Sequence, residues 1–163
     1  MGYLEEPVTS EDLEGLRLVR DRSPAAMAVA AGEYAWDLPD VEELAATGAV
    51  DVVQADVTRC GGITNMLRVD GVCKAHMLPF SAHCAPAITA HVGCAMETLT
   101  HLEYFHDHVR IEDMLFDGTL SPKDGELTPD ASRPGSAWRS SARTPRTTAW
   151  RSAAATSSPS RRA

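Results

Sequence analysis

The chain has 163 residues, of which 44% are hydrophobic and 23% charged, and its formal net charge is −8. This composition is ordinary for a globular protein, and no run approaches the roughly 18 apolar residues of a membrane helix. All seven Arg from Arg133 onward lie in a segment without Asp or Glu, so residues 1–132 hold 8 basic and 23 acidic residues, a charge of −15. So acidic a body argues against nucleic-acid binding, because phosphate contacts need clustered Lys and Arg.

Cysteine spacing and the first residues bear on the cellular compartment. Cys60, Cys73, Cys84 and Cys94 show no CxxC spacing, so neither a disulfide framework nor a zinc ribbon is indicated. Met1 leads directly into a strand-like segment, without the basic and apolar regions of an export signal. We therefore expect a cytoplasmic protein with no nucleic-acid or membrane partner.

Short apolar runs alternate along the chain with segments of helical period. The runs that predict strands are residues 3–6, 27–31, 50–55, 78–82 and 101–104. The predicted helices start at Ser10, at Asp37, after Gly61-Gly62 and at Pro86. This alternation with short loops predicts an α/β fold with a parallel sheet. Since the strands are almost wholly apolar, we expect helices to cover one face and an apolar barrel interior to form the other.

A polar residue stands at the end of each of these apolar runs. The five residues are Glu5, Glu33, Asp56, His83 and Glu103, separated by 28, 23, 27 and 20 residues. In successive parallel βα units the carboxyl ends of the strands meet at one mouth, so we expect these side chains to converge. Three carboxylates and a His–Asp pair at such a mouth suit a metal site beside a general base.

Four segments carry a family resemblance: LEEP, AAGE, DVTRCGGIT and SAH, in this order and at barrel spacing. Over about residues 3–135 the chain resembles the C-terminal catalytic half of the enolase superfamily, and within it the mandelate racemase-like group. A closed (β/α)8 barrel typically needs about 250 residues. The resemblance therefore implies a partial TIM-type barrel, roughly its last five strands.

The resemblance also implies a role for each residue at the strand ends. Glu5 and Glu33 match two of the three acidic ligands of Mg²⁺. Asp56 and His83 match a dyad in which the carboxylate orients a histidine general base, and Glu103 matches an acid that hydrogen-bonds the substrate carboxylate. The implied reaction is Mg²⁺-dependent abstraction of the proton α to the carboxylate of a hydroxy acid or sugar acid, with dehydration expected first and racemisation second.

Elementary chemistry supports these roles independently. Removing the α-proton leaves a dianionic enediolate, and a hard divalent cation held by carboxylates supplies the positive charge that it needs. A neutral imidazole can take the proton while a carboxylate on its other nitrogen fixes the tautomer. Glu103 would have to be protonated to donate to the substrate, which requires a raised pKa.

The N-terminal side departs from the family pattern. The first metal ligand, a Lys-x-Lys base motif and the capping domain of the family would all precede Met1. We therefore expect residues 1–132 to form a truncated barrel. The alternative to catalysis is an inactive fragment, or one that works only with a complementing N-terminal half or as a homo-oligomer.

The C-terminal segment departs from it as well. Residues 133–163 are mostly Ala, Ser, Thr, Arg and Pro, a composition that predicts a disordered basic tail. The family commonly continues through P-G-L-G, whereas Arg133-Pro134-Gly135 is followed here by Ser-Ala-Trp-Arg. Our hypothesis is a one-base frameshift near Gly135, and a tail that binds RNA or membrane is its rival.

A few further residues leave two interpretations open. The set His83-Cys84, His91 and Cys94 invites a zinc site, although it lacks a zinc-binding register. Arg59 could either bind an anionic substrate or belong to an ordinary surface loop. We interpret Glu6 as a structural residue. The remaining polar residues near the last strand are interpreted as a loop around the mouth: His101, His106, Asp107 and His108.

Overall fold

In a computed structural model, which describes residues 2–141, five strands form one parallel sheet in the order β1-β2-β3-β4-β5. The strands are β1 Gly2–Glu5, β2 Met27–Ala31, β3 Val52–Asp56, β4 Phe80–His83 and β5 Leu99–Leu102. Each strand is hydrogen-bonded to the next one along the chain, as in successive units of a βα barrel. The predicted α/β fold, a partial TIM-type barrel of five parallel strands, is confirmed.

Five helices follow the five strands of the sheet. They are α1 Leu13–Arg22, α2 Leu38–Ala46, α3 Gly62–His76, α4 Pro86–Gly93 and α5 His106–Leu115. Asp37 caps α2 as predicted, but α1 is capped by Asp12, whose Oδ1 accepts a hydrogen bond from the Gly15 amide at 2.8 Å, and not by Ser10. The existence of α5 corrects the prediction of a loop after the last strand. Among residues 2–141, no helix has the length and apolar character to cross a membrane.

One face of the sheet packs against helices and forms the core. Val53 in β3 and Phe80 in β4 are fully buried there, together with Leu16 of α1 and Met66 of α3. Side chains alternate between the two faces of a strand, so the residues between these core positions point the other way. The apolar residues at alternate positions of each strand therefore form the helix-covered face.

The opposite face, here called the inner face, carries Tyr3, Gln54, Ser81 and His101. The rings of Tyr3 and His101 meet edge to face at 5.2 Å, and His101 Nε2 lies 3.0 Å from Ser81 Oγ. Gln54 is fully buried and donates to Glu103. The expectation of an apolar interior is therefore wrong, because single polar residues alternate with the apolar ones inside β3, β4 and β5.

Beyond α5 the chain forms a small hairpin-like pairing. Strand β6 Phe116–Asp117 pairs antiparallel with β7 Arg139–Ser140, and the rings of Phe116 and Trp138 lie 4.1 Å apart, edge to face. Residues 139–140 and Trp138, which take part in this pairing and packing, fall within the segment 133–163 that is predicted to be disordered. Residues 142–163 lie outside the described part of the chain.

Candidate active site

His83 ends β4, and its imidazole lies between two carboxylates. Nδ1 is 2.9 Å from Asp56 Oδ2, and Nε2 is 3.0 Å from Glu33 Oε2. Asp56 ends β3 in direct register with His83, and Glu33 follows the end of β2. His83 and Asp56 are only 6% and 3% exposed. The structure thus brings together three of the predicted site residues at the carboxyl edge of the sheet.

The two members of the His–Asp dyad shift each other's pKa. Burial lowers the pKa of His83, but the hydrogen bond with Asp56 and the charge of Glu33 outweigh it, so the pKa is raised. Burial raises the pKa of Asp56, but hydrogen bonds from His83 and Thr58 outweigh it, so that pKa is lowered. The Thr58 amide and hydroxyl each donate to Asp56 Oδ1 at 2.7 Å. An ionised Asp56 therefore stabilises a proton on His83, as a general base requires.

Glu103 lies just past β5, where its amide donates to the Ala82 carbonyl of β4. Burial, followed by the charge of Glu5, raises the pKa of Glu103 to about 7. Gln54 Nε2 donates to its Oε1 at 2.9 Å, and no donor from residues 2–141 reaches its Oε2. A hydrogen bond between the Glu5 and Glu103 carboxyls then needs a proton on one of them. Glu103 has the raised pKa that a carboxylic acid donor requires.

Glu5 and Glu33 contact different neighbours in this structure. Glu5 is exposed at the end of β1 and interacts with Glu103, whereas Glu33 contacts His83 and Arg59. Both are carboxylates at the carboxyl ends of neighbouring strands, which is the hard oxygen donor set that Mg²⁺ prefers. In donor chemistry the two residues therefore fit Mg²⁺.

Arg59 lies beside the carboxylates at the carboxyl edge of the sheet. Its guanidinium is 3.6 Å from Glu33 Oε1 and 3.7 Å from Asp56 Oδ2, and it also donates to the Glu33 carbonyl at 3.0 Å. It stacks over Tyr34, with Cζ 5.2 Å from the ring centroid. Arg59 is thus the cation of an otherwise acidic site, which the spacing of the motifs alone did not establish.

Glu6 supports the backbone that carries Glu33. Its Oε1 accepts from the Gly32 amide at 3.3 Å, and burial raises its pKa. Gly32 has φ +128°, and a Cβ atom there would lie 2.1 Å from the Gln54 carbonyl oxygen. A side chain at this position is excluded, and the glycine before Glu33 therefore has a packing reason.

The zinc set suggested by the sequence is not assembled. Cys94 is exposed and its thiol donates to the Ala90 carbonyl, while His91 Nε2 is buried without a partner among the described residues. The potential ligands that do cluster within 4.8 Å are Asp56, His83 and Cys84. His91 and Cys94 lie on α4 and in the turn that follows it, and neither belongs to this cluster.

Fold and geometry together define the class of protein: an α/β chain of TIM-barrel type with a cluster of histidine and carboxylate side chains at the carboxyl edge of its parallel strands. Known proteins make the class specific. The family described as enolase C-terminal domain-like matches residues 1–138, and the chain belongs to this family.

Two solved structures and one curated relative illustrate the likeness. A mandelate racemase/muconate lactonizing enzyme-like protein from Rubrobacter xylanophilus is 64% identical, with a TM-score of 0.82 over 86% of this chain and 38% of its own. An enolase from Bradyrhizobium, crystallised with magnesium and mandelic acid, is 33% identical, with a TM-score of 0.71 over 78% of this chain and 34% of its own. L-galactonate dehydratase of Hypocrea jecorina is 28% identical over 71% of this chain and 29% of its own length.

These relatives also give information on the cofactor of the family and on the length of its members. Magnesium, the cofactor predicted from the resemblance, is bound in the Bradyrhizobium protein. The chain spans about a third of the length of the relatives it matches.

Proposed function

We propose that the chain supplies the general-base half of a Mg²⁺-dependent site that removes the proton α to the carboxylate of a hydroxy acid or sugar acid. The observation that carries this proposal is the position of His83, with Asp56 at 2.9 Å on one ring nitrogen and Glu33 at 3.0 Å on the other. The likeness to a sugar-acid dehydratase and to a protein that binds mandelic acid supports it.

In this proposal His83 Nε2 is the atom that takes the α-proton. Asp56 accepts from Nδ1–H, which leaves the lone pair on Nε2, and it then stabilises the imidazolium that forms. The raised pKa of His83 favours the proton-bound state once the proton has moved. Asp56 is therefore a positioning residue and His83 the base.

Glu33 is in contact with the proposed base in this arrangement. Its Oε2 lies 3.0 Å from Nε2, a contact between two acceptors unless a proton lies between them, so this arrangement requires a proton shared by His83 and Glu33. With Glu5 it would hold Mg²⁺, which supplies positive charge to the oxygens of the enediolate. Turning Glu33 away from Nε2 frees the base at the same time.

Glu103 and Arg59 would bind the substrate carboxylate. A carboxyl with a pKa of about 7 keeps its proton over much of the neutral range and donates a hydrogen bond to an anionic oxygen. Arg59, half-buried beside Glu33 and Asp56, offers a guanidinium to the other oxygen. These two donors place the α-carbon in the neighbourhood of His83.

Dehydration is the reaction we place first and racemisation the second. A dehydratase can return the proton of His83 to the leaving hydroxyl, so one base is sufficient. A racemase needs a second base on the opposite face of the substrate, and in the described residues we identify one histidine in this position. The mandelic acid of the Bradyrhizobium protein is what favours the second candidate.

The test is deuterium incorporation at the α-carbon of L-galactonate and of mandelate, followed by NMR in D2O with Mg²⁺. We expect none from the purified chain alone, since only two of three acidic ligands are assigned. Exchange is expected once the chain is combined with the N-terminal portion of the Rubrobacter xylanophilus relative, which this chain does not match. His83→Asn should abolish it.

Two other outcomes have definite meanings. Exchange that survives His83→Asn would contradict the assignment of the base. Absence of exchange in both preparations, with the two parts shown to associate, would favour the alternative of an inactive fragment.

A further inference from the structure

The carboxylate of Asp56 is held by the loop that follows β3. The amide and the hydroxyl of Thr58 each donate to Asp56 Oδ1 at 2.7 Å. The amides of Arg59 and Cys60 donate to the Asp56 carbonyl oxygen at 3.0 and 2.8 Å, so the backbone turns tightly after this residue. Asp56 is 3% exposed, whereas Thr58 is exposed to solvent. A surface residue thus holds a buried carboxylate.

We propose that Thr58 is a positioning residue for the general base His83 and acts through Asp56. A carboxylate oxygen has two lone pairs, and the two donors of Thr58 account for both of those on Oδ1. Oδ2 is therefore the oxygen left for His83, whose Nδ1 lies 2.9 Å away. The catalytic meaning of this contact rests on the proposed function, whereas the hydrogen-bonded arrangement does not.

This arrangement selects the tautomer of His83. An ionised Asp56 can only accept hydrogen bonds, so Nδ1 carries the proton of their contact. A neutral imidazole has a single N–H, and Nε2 then keeps the lone pair that takes the α-proton. In the opposite tautomer the proton is on Nε2, where Glu33 Oε2 at 3.0 Å accepts it. That tautomer cannot act as a base at Nε2.

Two neighbours oppose the contact between Asp56 and His83. Arg59 Nε is 3.7 Å from Asp56 Oδ2 and attracts the carboxylate toward the loop. Glu33 attracts the ring proton toward Nε2. The Thr58 hydroxyl works against both, because it holds Oδ1 at the loop and leaves Oδ2 directed at the ring. Thr58 therefore favours the tautomer that proton abstraction needs.

The same pairing of a buried Asp with a Thr occurs at a second place in the chain. Asp70 is 7% exposed, and its Oδ1 accepts from the Thr98 amide at 2.9 Å and from the Thr98 hydroxyl at 2.6 Å. Its Oδ2 accepts from the Glu97 amide at 3.2 Å, where Asp56 has the imidazole. Asp70 and Thr98 therefore provide a matched control, with the same hydrogen bonds but no histidine to orient.

The test compares Thr58→Val, Thr58→Ser and Thr98→Val in the full 163-residue chain. Valine keeps the shape of threonine and removes the hydroxyl, whereas serine keeps the hydroxyl. The readout is the proton–nitrogen NMR spectrum of the imidazoles at alkaline pH, where the rings are neutral. The signals of His83 are identified by their absence in His83→Asn.

We expect the wild-type ring of His83 to carry its proton on Nδ1. In Thr58→Val the ratio of the Nδ1–H to the Nε2–H tautomer should fall by about tenfold, at the lower end of what a hydrogen bond to a charged group contributes. Thr58→Ser should keep the wild-type ratio. Thr98→Val should keep it as well, although it should lower the urea midpoint of unfolding about as much as Thr58→Val does.

Urea unfolding also shows whether each variant folds, and Thr58→Ala replaces Thr58→Val if the valine variant does not. A wild-type tautomer ratio in the folded variant that lacks the hydroxyl would overturn the proposal. An equal change of the ratio in Thr98→Val would do so too, because Thr58 would then have only the structural role of Thr98. The readout needs no catalysis, so an absence of α-proton exchange counts against the proposed function and not against this role of Thr58.

Discussion

The two faces of the sheet are built from alternate residues of the same strands, yet they are stabilised in different ways. In β4, Phe80 lies in the helix-covered core, where burial of apolar area supplies the free energy. Its neighbour Ser81 lies on the inner face and hydrogen-bonds to His101. The difference teaches that apolar burial stabilises the helix-covered face, whereas the inner face and its carboxyl edge are held by hydrogen bonds and carry the residues proposed for binding.

The first prediction compares two substitutions in β4, one on each face of the sheet. Phe80→Ala should lower the free energy of unfolding by about 3–5 kcal/mol, because it removes a fully buried ring and leaves a cavity. Ser81→Ala should lower it by only about 0.5–1.5 kcal/mol, the net value of one hydrogen bond. Urea unfolding measures both. Equal losses would contradict the division between the faces.

The second prediction applies one substitution to two glycines and expects opposite signs. Gly32→Ala should destabilise the protein, since its Cβ would lie 2.1 Å from the Gln54 carbonyl oxygen at a φ of +128°. Gly71→Ala lies inside α3, where a Cβ meets nothing within 4 Å. It should stabilise the chain by roughly 0.5–1 kcal/mol through helix propensity.

Thermal melts of the two glycine variants are the measurement. A stabilised Gly32→Ala variant would mean that the approach of β2 to β3 beside Glu33 is looser than described.

The third prediction concerns the dependence of stability on pH. The pKa of Glu103 is about 7 in the folded chain against an ordinary 4.5, so between these values the folded state binds more protons than the unfolded state. Stability should therefore fall as pH rises from about 4.5 to about 7. Glu103→Gln should flatten this part of the profile.

Urea unfolding at several pH values measures the slope. Glu14→Gln, on an exposed part of α1, is the control and should keep it. An unchanged slope in Glu103→Gln would show that the inner-face carboxyls do not share a proton.

Much of the fold and the dyad could be predicted from sequence, because an apolar run that ends in a polar residue fixes both a strand and its carboxyl end. The register that pairs Asp56 with His83 follows from that rule. Helix α5 could not be foreseen, since Phe105 precedes it without a side-chain cap. The contact of Cys84 with His108 depends on where that unforeseen helix packs.

The inner face was missed for a different reason. Gln54 and Ser81 are single polar residues in otherwise apolar runs, and such runs suggest burial on both faces. Gln54 donates to Glu103, which directly follows β5 and lies 49 positions further along the chain. Ser81 is hydrogen-bonded to His101 in β5, 20 positions further along. The sequence shows that a position is polar, but it does not show which distant residue forms the hydrogen bond.

The most direct test of the central claim is the pKa of His83, measured by NMR titration of the imidazole in the wild-type chain and in Asp56→Asn. We predict a pKa of His83 above the ordinary 6.5 in the wild type, and a lower one in Asp56→Asn, because the variant loses the hydrogen bond and charge of Asp56. Asp70→Asn, which removes a carboxylate bound to the Glu97 and Thr98 amides, should leave the pKa of His83 unchanged. A His83 pKa at or below 6.5 that does not move in Asp56→Asn would contradict the assignment of this dyad as an oriented general base.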